Sequence, residues 1–215
     1  MDETDGTISI LGTKEYWNTL YAKEAETYED SCDPGEIWFG HGCHNRLKKW
    51  ITENVPTKLA ILDIGCGNGA LLFDLYSSGF TDLTGIDYAE SAIEFCRHRS
   101  AKEHVEINFQ VADMSEGNVR MAFPHQYDVI IDKGTYDAIS LTANSADNLT
   151  VYRQNLKLLW KPNGLKQFLI TSCNFTKDDL IQQFCDLRLL GEIPSPVMQF
   201  GGSKGQTVTT LIFCL

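Results

Sequence analysis

The chain has 215 residues, 43% hydrophobic and 22% charged, with 18 Lys and Arg against 29 Asp and Glu for a formal net charge of −11. That length fits one globular domain, that balance is not that of a disordered chain, and no apolar run approaches the ~20 residues of a membrane-spanning helix. An acidic surface without a basic run argues against nucleic acid as a partner and favours cations and basic proteins.

The opening Met1-Asp2-Glu3-Thr4-Asp5 lacks the basic and apolar regions of a signal peptide, and seven Cys read as free thiols, so a soluble intracellular protein is expected. Residues 13–29 and 41–54 carry helical patterns and form an N-terminal cap segment, 1–57, ahead of a sheet core, 58–215. From Lys58 onward short apolar runs alternate with helical stretches. Leu59–Ile64 reads as a buried strand, Ala70–Ser78 as a helix ended by Gly79, and Leu83–Asp87 as a second strand. Ser91–Lys102 is predicted helical, Ile107–Ala112 a third strand and Tyr127–Asp132 a fourth. A stripe at Leu149, Tyr152, Leu156 and Leu159 predicts a helix over 149–160 that Pro162 and Gly164 stop. Phe168–Thr171 is the fifth strand, and a helix over 176–185 follows, capped by Thr176. This alternation means an α/β, doubly wound parallel sheet with helices on both faces. Leu187–Ile193 and Thr207–Phe213 have no room for a crossover helix between them and are expected to pair antiparallel. Phe200–Gly205 is expected to form a flexible hairpin near the protein substrate.

The strongest chemical signal is Leu62-Asp63-Ile64-Gly65-Cys66-Gly67-Asn68-Gly69, between the first strand and its helix. Glycines at 65, 67 and 69 permit a tight turn and let a ligand approach bare main chain. The spacing departs from the Gly-x-Gly-x-x-Gly of dinucleotide binders, and Asp87 ends the second strand, where a carboxylate can take both hydroxyls of a ribose. A nucleoside-type cofactor follows. Cys32, His41, Cys43 and His44 do not have the paired spacing of a zinc site, so no metal is expected.

Asp63–Gly69 with Asp87-Tyr88 resembles the first two motifs of class I S-adenosylmethionine-dependent methyltransferases. The resemblance implies S-adenosylmethionine as cofactor and a Rossmann-like seven-stranded sheet with an antiparallel last strand. It implies cofactor contacts from Gly65, Cys66, Gly67, Gly69, Asp87 and Tyr88. It also puts the adenine-contacting acid at Asp113, beside Met114; read alone, Asp113 is equally a cap for the turn after it.

A narrower resemblance spans nearly the whole chain. Tyr16–Tyr21, Gly35–Gly40, Asp132–Ile139 and Leu169–Asn174 are similar to the eukaryotic methyltransferases that modify lysine on translation elongation factor 1-alpha. It implies that Trp17, Tyr21 and Trp38 face the cofactor; by composition alone these rings are better read as a staple joining cap to sheet. Asp132, at the end of the fourth strand, is expected in the ligand crevice, with a strand-end cap as its other reading. Asp132, Tyr136 and Asp137 are the candidates to flank the acceptor amine. A lysine must be neutral to attack, which at pH 7 costs about 4.6 kcal/mol, but bulk water can take the proton before binding. The expected partner is a basic protein, elongation factor 1-alpha, met by a monomer in the cytoplasm, with the nucleus as a second location. A small-molecule methyltransferase and a non-catalytic S-adenosylmethionine-binding module remain the alternatives.

Overall fold

The computed structural model describes residues 9–117, 119, 126–200, 203–206 and 208–215. After a turn of 3-10 helix at Ile10–Gly12, helix α1 (Lys14–Ser31) starts at Thr13, whose hydroxyl accepts from Tyr16 N, and stops at Cys32 in the left-handed conformation. Helix α2 (Gly40–Asn54) buries Cys43, His44, Leu47 and Ile51, a three-and-four spacing that puts one apolar stripe on the sheet.

Strands β1 (Ile61–Ile64), β2 (Leu83–Asp87), β3 (Asn108–Val111), β4 (Val129–Lys133) and β5 (Gln167–Ser172) run parallel. Strand β6 (Arg188–Glu192) is followed by a separate hairpin, β7 (Val197–Phe200) with β8 (Ser203–Gln206). Strand β9 (Thr209–Cys214) inserts antiparallel between β5 and β6, giving a seven-stranded sheet in the order β3-β2-β1-β4-β5-β9-β6. The antiparallel pairing expected at the C-terminus is therefore present. Gly201, Gly202 and Thr207 of that expectation lie outside the described residues.

Helices α3 (Ala70–Ser77), α4 (Glu90–Glu103), α5 (Thr135–Ser140), α6 (Ser145–Leu158) and α7 (Lys177–Gln183) complete the fold. Thr176 caps α7 in a reciprocal box with Asp179. The sequence pattern misses α5, a six-residue helix too short to show a period. It also starts α6 four residues late, because the polar first turn of that helix lies off the apolar stripe.

Two apolar clusters, one on each face of the sheet, sandwich the central strands. The register decides what each face receives. Ile64 pairs with both Ile86 and Asp132, so these three form one row across β2, β1 and β4. Side chains alternate along a strand. Asp132 thus shares the face of Ile64, towards α5 and α6, whereas Asp63, Asp87 and Lys133 project from the other.

Candidate cofactor and acceptor site

The Gly-rich turn leaves β1 with Gly65, Gly67 and Gly69 all at positive φ, between 55° and 74°. A Cβ at Gly65 would sit 1.8 Å from Thr135 Oγ1, and one at Gly67 would sit 2.5 Å from the Tyr21 hydroxyl oxygen. The glycines are needed here by the protein's own packing as well as by any ligand. Thr135 Oγ1 donates to the Ile64 carbonyl at 2.8 Å and ties the β1 turn to the β4 turn. Gly69 is the N-cap of α3, packed against Phe73 and Cys96, and does not line the cleft. Cys66 is buried beneath the turn, and the Cys96 thiol donates to the Gly67 carbonyl at 3.1 Å.

Asp87 holds this turn from β2. Its Oδ2 accepts from Gly67 N at 3.0 Å and its Oδ1 from Ala89 N at 2.9 Å. Burial pushes its carboxyl up to about 6, against the pull of those two N–H groups. Asn68 fastens the N-terminal cap to the turn: its amide donates to Glu24 and to the carbonyls of Pro34 and Glu36 at 2.9–3.1 Å. Glu24 in turn accepts from Glu36 N at 2.9 Å. Trp38 and Phe39 follow this clasp and lie by the carboxyl ends of the central strands β1 and β4.

The result is a cleft of about 980 Å³, counting its open mouth, outside the carboxyl ends of the strands. Trp17, Tyr21, Trp38, Gly65, Asp87, Tyr88, Asp113, Met114 and Asp137 all line it. The three expected aromatics form one cluster: Trp17 stacks on Tyr21 at 6.0 Å between ring centres and meets Trp38 at 5.1 Å. Trp17 Nε1 donates to the Leu11 carbonyl at 2.8 Å, fixing its ring. Asp113 caps its turn and faces the cleft: one oxygen accepts from Ser115 N and Oγ at 2.7 and 2.6 Å. Asn155 holds the carbonyls of Met114 and Glu116 behind it. A smaller polar compartment adjoins, lined by Glu36, Asp63, Cys66, Gly67 and Asn68, and shares Tyr21, Trp38, Gly65 and Lys133 with the main cleft.

Asp132 and Tyr136 depart from expectation. Asp132 is fully buried on the opposite face, where it accepts from Tyr152 Oη at 2.6 Å, Thr135 N at 3.0 Å and Tyr136 N at 3.0 Å. It caps α5 and does not line the cleft. Burial pushes its carboxyl up to about 7. Tyr136 is equally buried, donating to Gln183 and accepting from Arg153 at 2.7 Å. The register explains both placements, since the row that holds Asp132 faces the α5–α6 layer. Asp137 does reach the cleft wall, but its carboxylate is engaged by the Ser172 hydroxyl and by Cys173 N at 2.7 Å. It fixes Cys173 and Asn174, which also line the cleft.

Sequence reasoning did not single out Lys133, Thr135, Phe39 or Asn174 as lining residues, nor Glu24 and Asn68 as the clasp. Lys133 and Thr135 stand inside the Asp132–Ile139 block, so the signal was present but attached to the neighbouring acid. Among the described residues no group of three His, Cys, Asp or Glu could hold a metal, and no helix is long and apolar enough to cross a membrane. An acid at the end of β2 beside a glycine turn, a second acid one strand over and an aromatic cluster suit a cationic nucleoside such as S-adenosylmethionine.

A methyltransferase-domain family model matches residues 57–208. EEF1A lysine methyltransferase 2 of Danio rerio is 43% identical over 95% of this chain and 88% of its own length, and that of Homo sapiens 40% over 97% and 89%. Protein-lysine N-methyltransferase EFM4 of Saccharomyces cerevisiae is 35% identical over 97% and 96%. A magnesium protoporphyrin IX methyltransferase from Synechocystis, solved with bound SAM, shares the fold with a TM-score of 0.65 at 14% identity over 94% of each chain. The antiparallel β9, the Gly-rich turn with Asp87 and these near full-length matches agree: the chain belongs to the family of protein-lysine N-methyltransferases that includes EEF1A lysine methyltransferase 2 and EFM4.

Proposed function

We propose that this protein methylates a lysine of translation elongation factor 1-alpha, using S-adenosylmethionine, as a monomer in the cytoplasm and also in the nucleus. The observation that carries the substrate is the 40–43% identity, over 95–97% of the chain, to relatives named for that substrate. The charge of −11 is compatible with a cationic partner, because long-range attraction speeds encounter.

When bound, S-adenosylmethionine supplies an electrophilic methyl group on a sulfonium cation. Asp87 would hold the ribose, Asp113 and Tyr88 the base, and Trp17, Tyr21 and Trp38 the cationic end, where an aromatic face is worth about 0.5–2 kcal/mol. No base is needed within the cleft. Asp132 and Tyr136 lie behind it and each Asp137 oxygen already accepts a hydrogen bond that fixes the β5 turn, so in this reading the acceptor amine loses its proton to water through the open mouth. The residues that remain act by aligning amine and methyl and by excluding solvent around them. Phe39, Thr135, Cys173 and Asn174, on the wall beside β4 and β5, form the acceptor side.

The test is incubation with labelled S-adenosylmethionine of purified elongation factor 1-alpha and, in parallel, of whole lysate, followed by mapping of the label. One labelled lysine on that protein is the expected result. Label on another lysate protein defeats the substrate assignment, and label confined to small molecules defeats the protein-lysine reading altogether.

A further inference from the structure

The small polar compartment is lined by two opposite charges that make no direct contact with one another. Asp63 is 3% exposed and Lys133 half-buried, both on the same face of the sheet at the ends of adjacent strands β1 and β4. They do not form an ion pair, and Asp63 accepts no hydrogen bond from a described residue. Among the described residues the Lys133 ammonium, with three donors, bonds only to the Trp38 carbonyl at 3.4 Å, while the Phe39 ring lies 6.0 Å away. Among the described residues it is the only Lys or Arg lining either the cleft or the compartment.

Separated buried charges are costly unless each meets a counter-charge. Burial raises the Asp63 carboxyl to about 7 and lowers the Lys133 ammonium, and the opposite charge of each only partly offsets the shift of the other. The compartment shares Tyr21, Trp38, Gly65 and Lys133 with the cleft. A ligand whose nucleoside lies along Asp87 and Asp113 therefore has its far end here. That end, in an amino-acid-bearing nucleoside, carries one ammonium and one carboxylate.

We propose that Lys133 is the anchor for the α-carboxylate of the cofactor's amino-acid end. This rests on the cofactor reading above and adds a residue to it. Lys133 is then a binding residue and not an acceptor or a base. It also gives the Asp-Lys-Gly-Thr block a role for its lysine, while the aspartate before it supports the turn.

The probe is decarboxylated S-adenosylmethionine, which keeps the sulfonium and the ammonium and lacks only the carboxylate. Calorimetry should show the unaltered protein binding S-adenosylmethionine roughly ten- to hundredfold more tightly than the decarboxylated form. In Lys133→Met that preference should collapse to about onefold, with affinity for the decarboxylated form kept; Lys133→Gln serves where Lys133→Met does not fold. Equal affinities in the unaltered protein overturn the assignment without any variant. A variant that weakens both ligands alike and keeps the preference overturns it too, because that is the signature of a structural lysine. If the unaltered protein binds neither ligand, the cofactor reading itself fails, and the anchor with it.

Discussion

Asp87 and Asp132 are near twins in sequence and opposites in position. Each is an acid at the carboxyl end of a buried parallel strand, each accepts backbone N–H groups from strand-end turns (Asp87 from its own turn and the β1 turn, Asp132 from its own), and burial raises each carboxyl, to about 6 and about 7. Asp87 completes its environment with the cleft. Asp132 completes its own with the Tyr152 hydroxyl, in the core between β4 and α6. Strand-end placement marks where a ligand crevice lies but does not say which side chain faces it. One step of register does: Asp132 pairs with Ile64, whereas Asp87 lies one residue past the partner of Ile64.

The largest expected effect follows from the buried member. Asp132→Ala strands the Tyr152 hydroxyl and two N–H groups and should cost about 2–4 kcal/mol of folding stability in urea unfolding. Cofactor affinity of the folded fraction should change little, and a loss of affinity without loss of stability would return Asp132 to the site. Asp87→Ala is its mirror. Removing charge-assisted bonds to a ribose should weaken S-adenosylmethionine binding by about 1.5–3 kcal/mol, roughly ten- to hundredfold by calorimetry.

The two acids also separate by pH. Asp132 keeps its proton in the folded chain up to about pH 7, while the unfolded chain releases it near the ordinary value of 3.8. The folded state thus binds more protons in that window. Its contribution is full below the unfolded value and is lost as pH rises through about 7. Asp132→Asn does not titrate and removes this slope. Its stability relative to the unaltered protein should therefore improve, by up to a few kcal/mol, between about pH 4 and about pH 8. A constant difference across that range would show that Asp132 is ionised throughout. The smallest effect is expected at Tyr136→Phe, which removes the hydroxyl between Gln183 and Arg153. It should cost about 0.5–1.5 kcal/mol of stability and leave methyl transfer unchanged. A large fall in turnover would put Tyr136 back at the reacting atoms.

Much of this molecule was legible before folding. The β1–α3 turn, Asp87, the strand–helix alternation and the final antiparallel strand all have local signatures: glycine at positive φ, an acid after an apolar run, and a connection too short for a crossover helix. Trp17, Tyr21 and Trp38 were named by resemblance, and composition alone would have assigned them to packing. In the structure they do both, forming one cluster that is also a cleft wall.

What the sequence by itself determined is the order of elements, the glycine turn and the acids at the strand ends. Only the tertiary structure decided that Asp132 and Tyr136 turn inward, that Lys133 faces the cleft, and that Glu24 and Asn68 clasp the cap to the turn. The reason is physical. Strands β1, β2 and β4 are buried on both faces, so their sequences lack the regular apolar–polar alternation that would reveal a side chain's direction. Pairing with Ile64 supplies that direction, and the Glu24–Asn68 contact joins residues 44 positions apart, where no local pattern reaches.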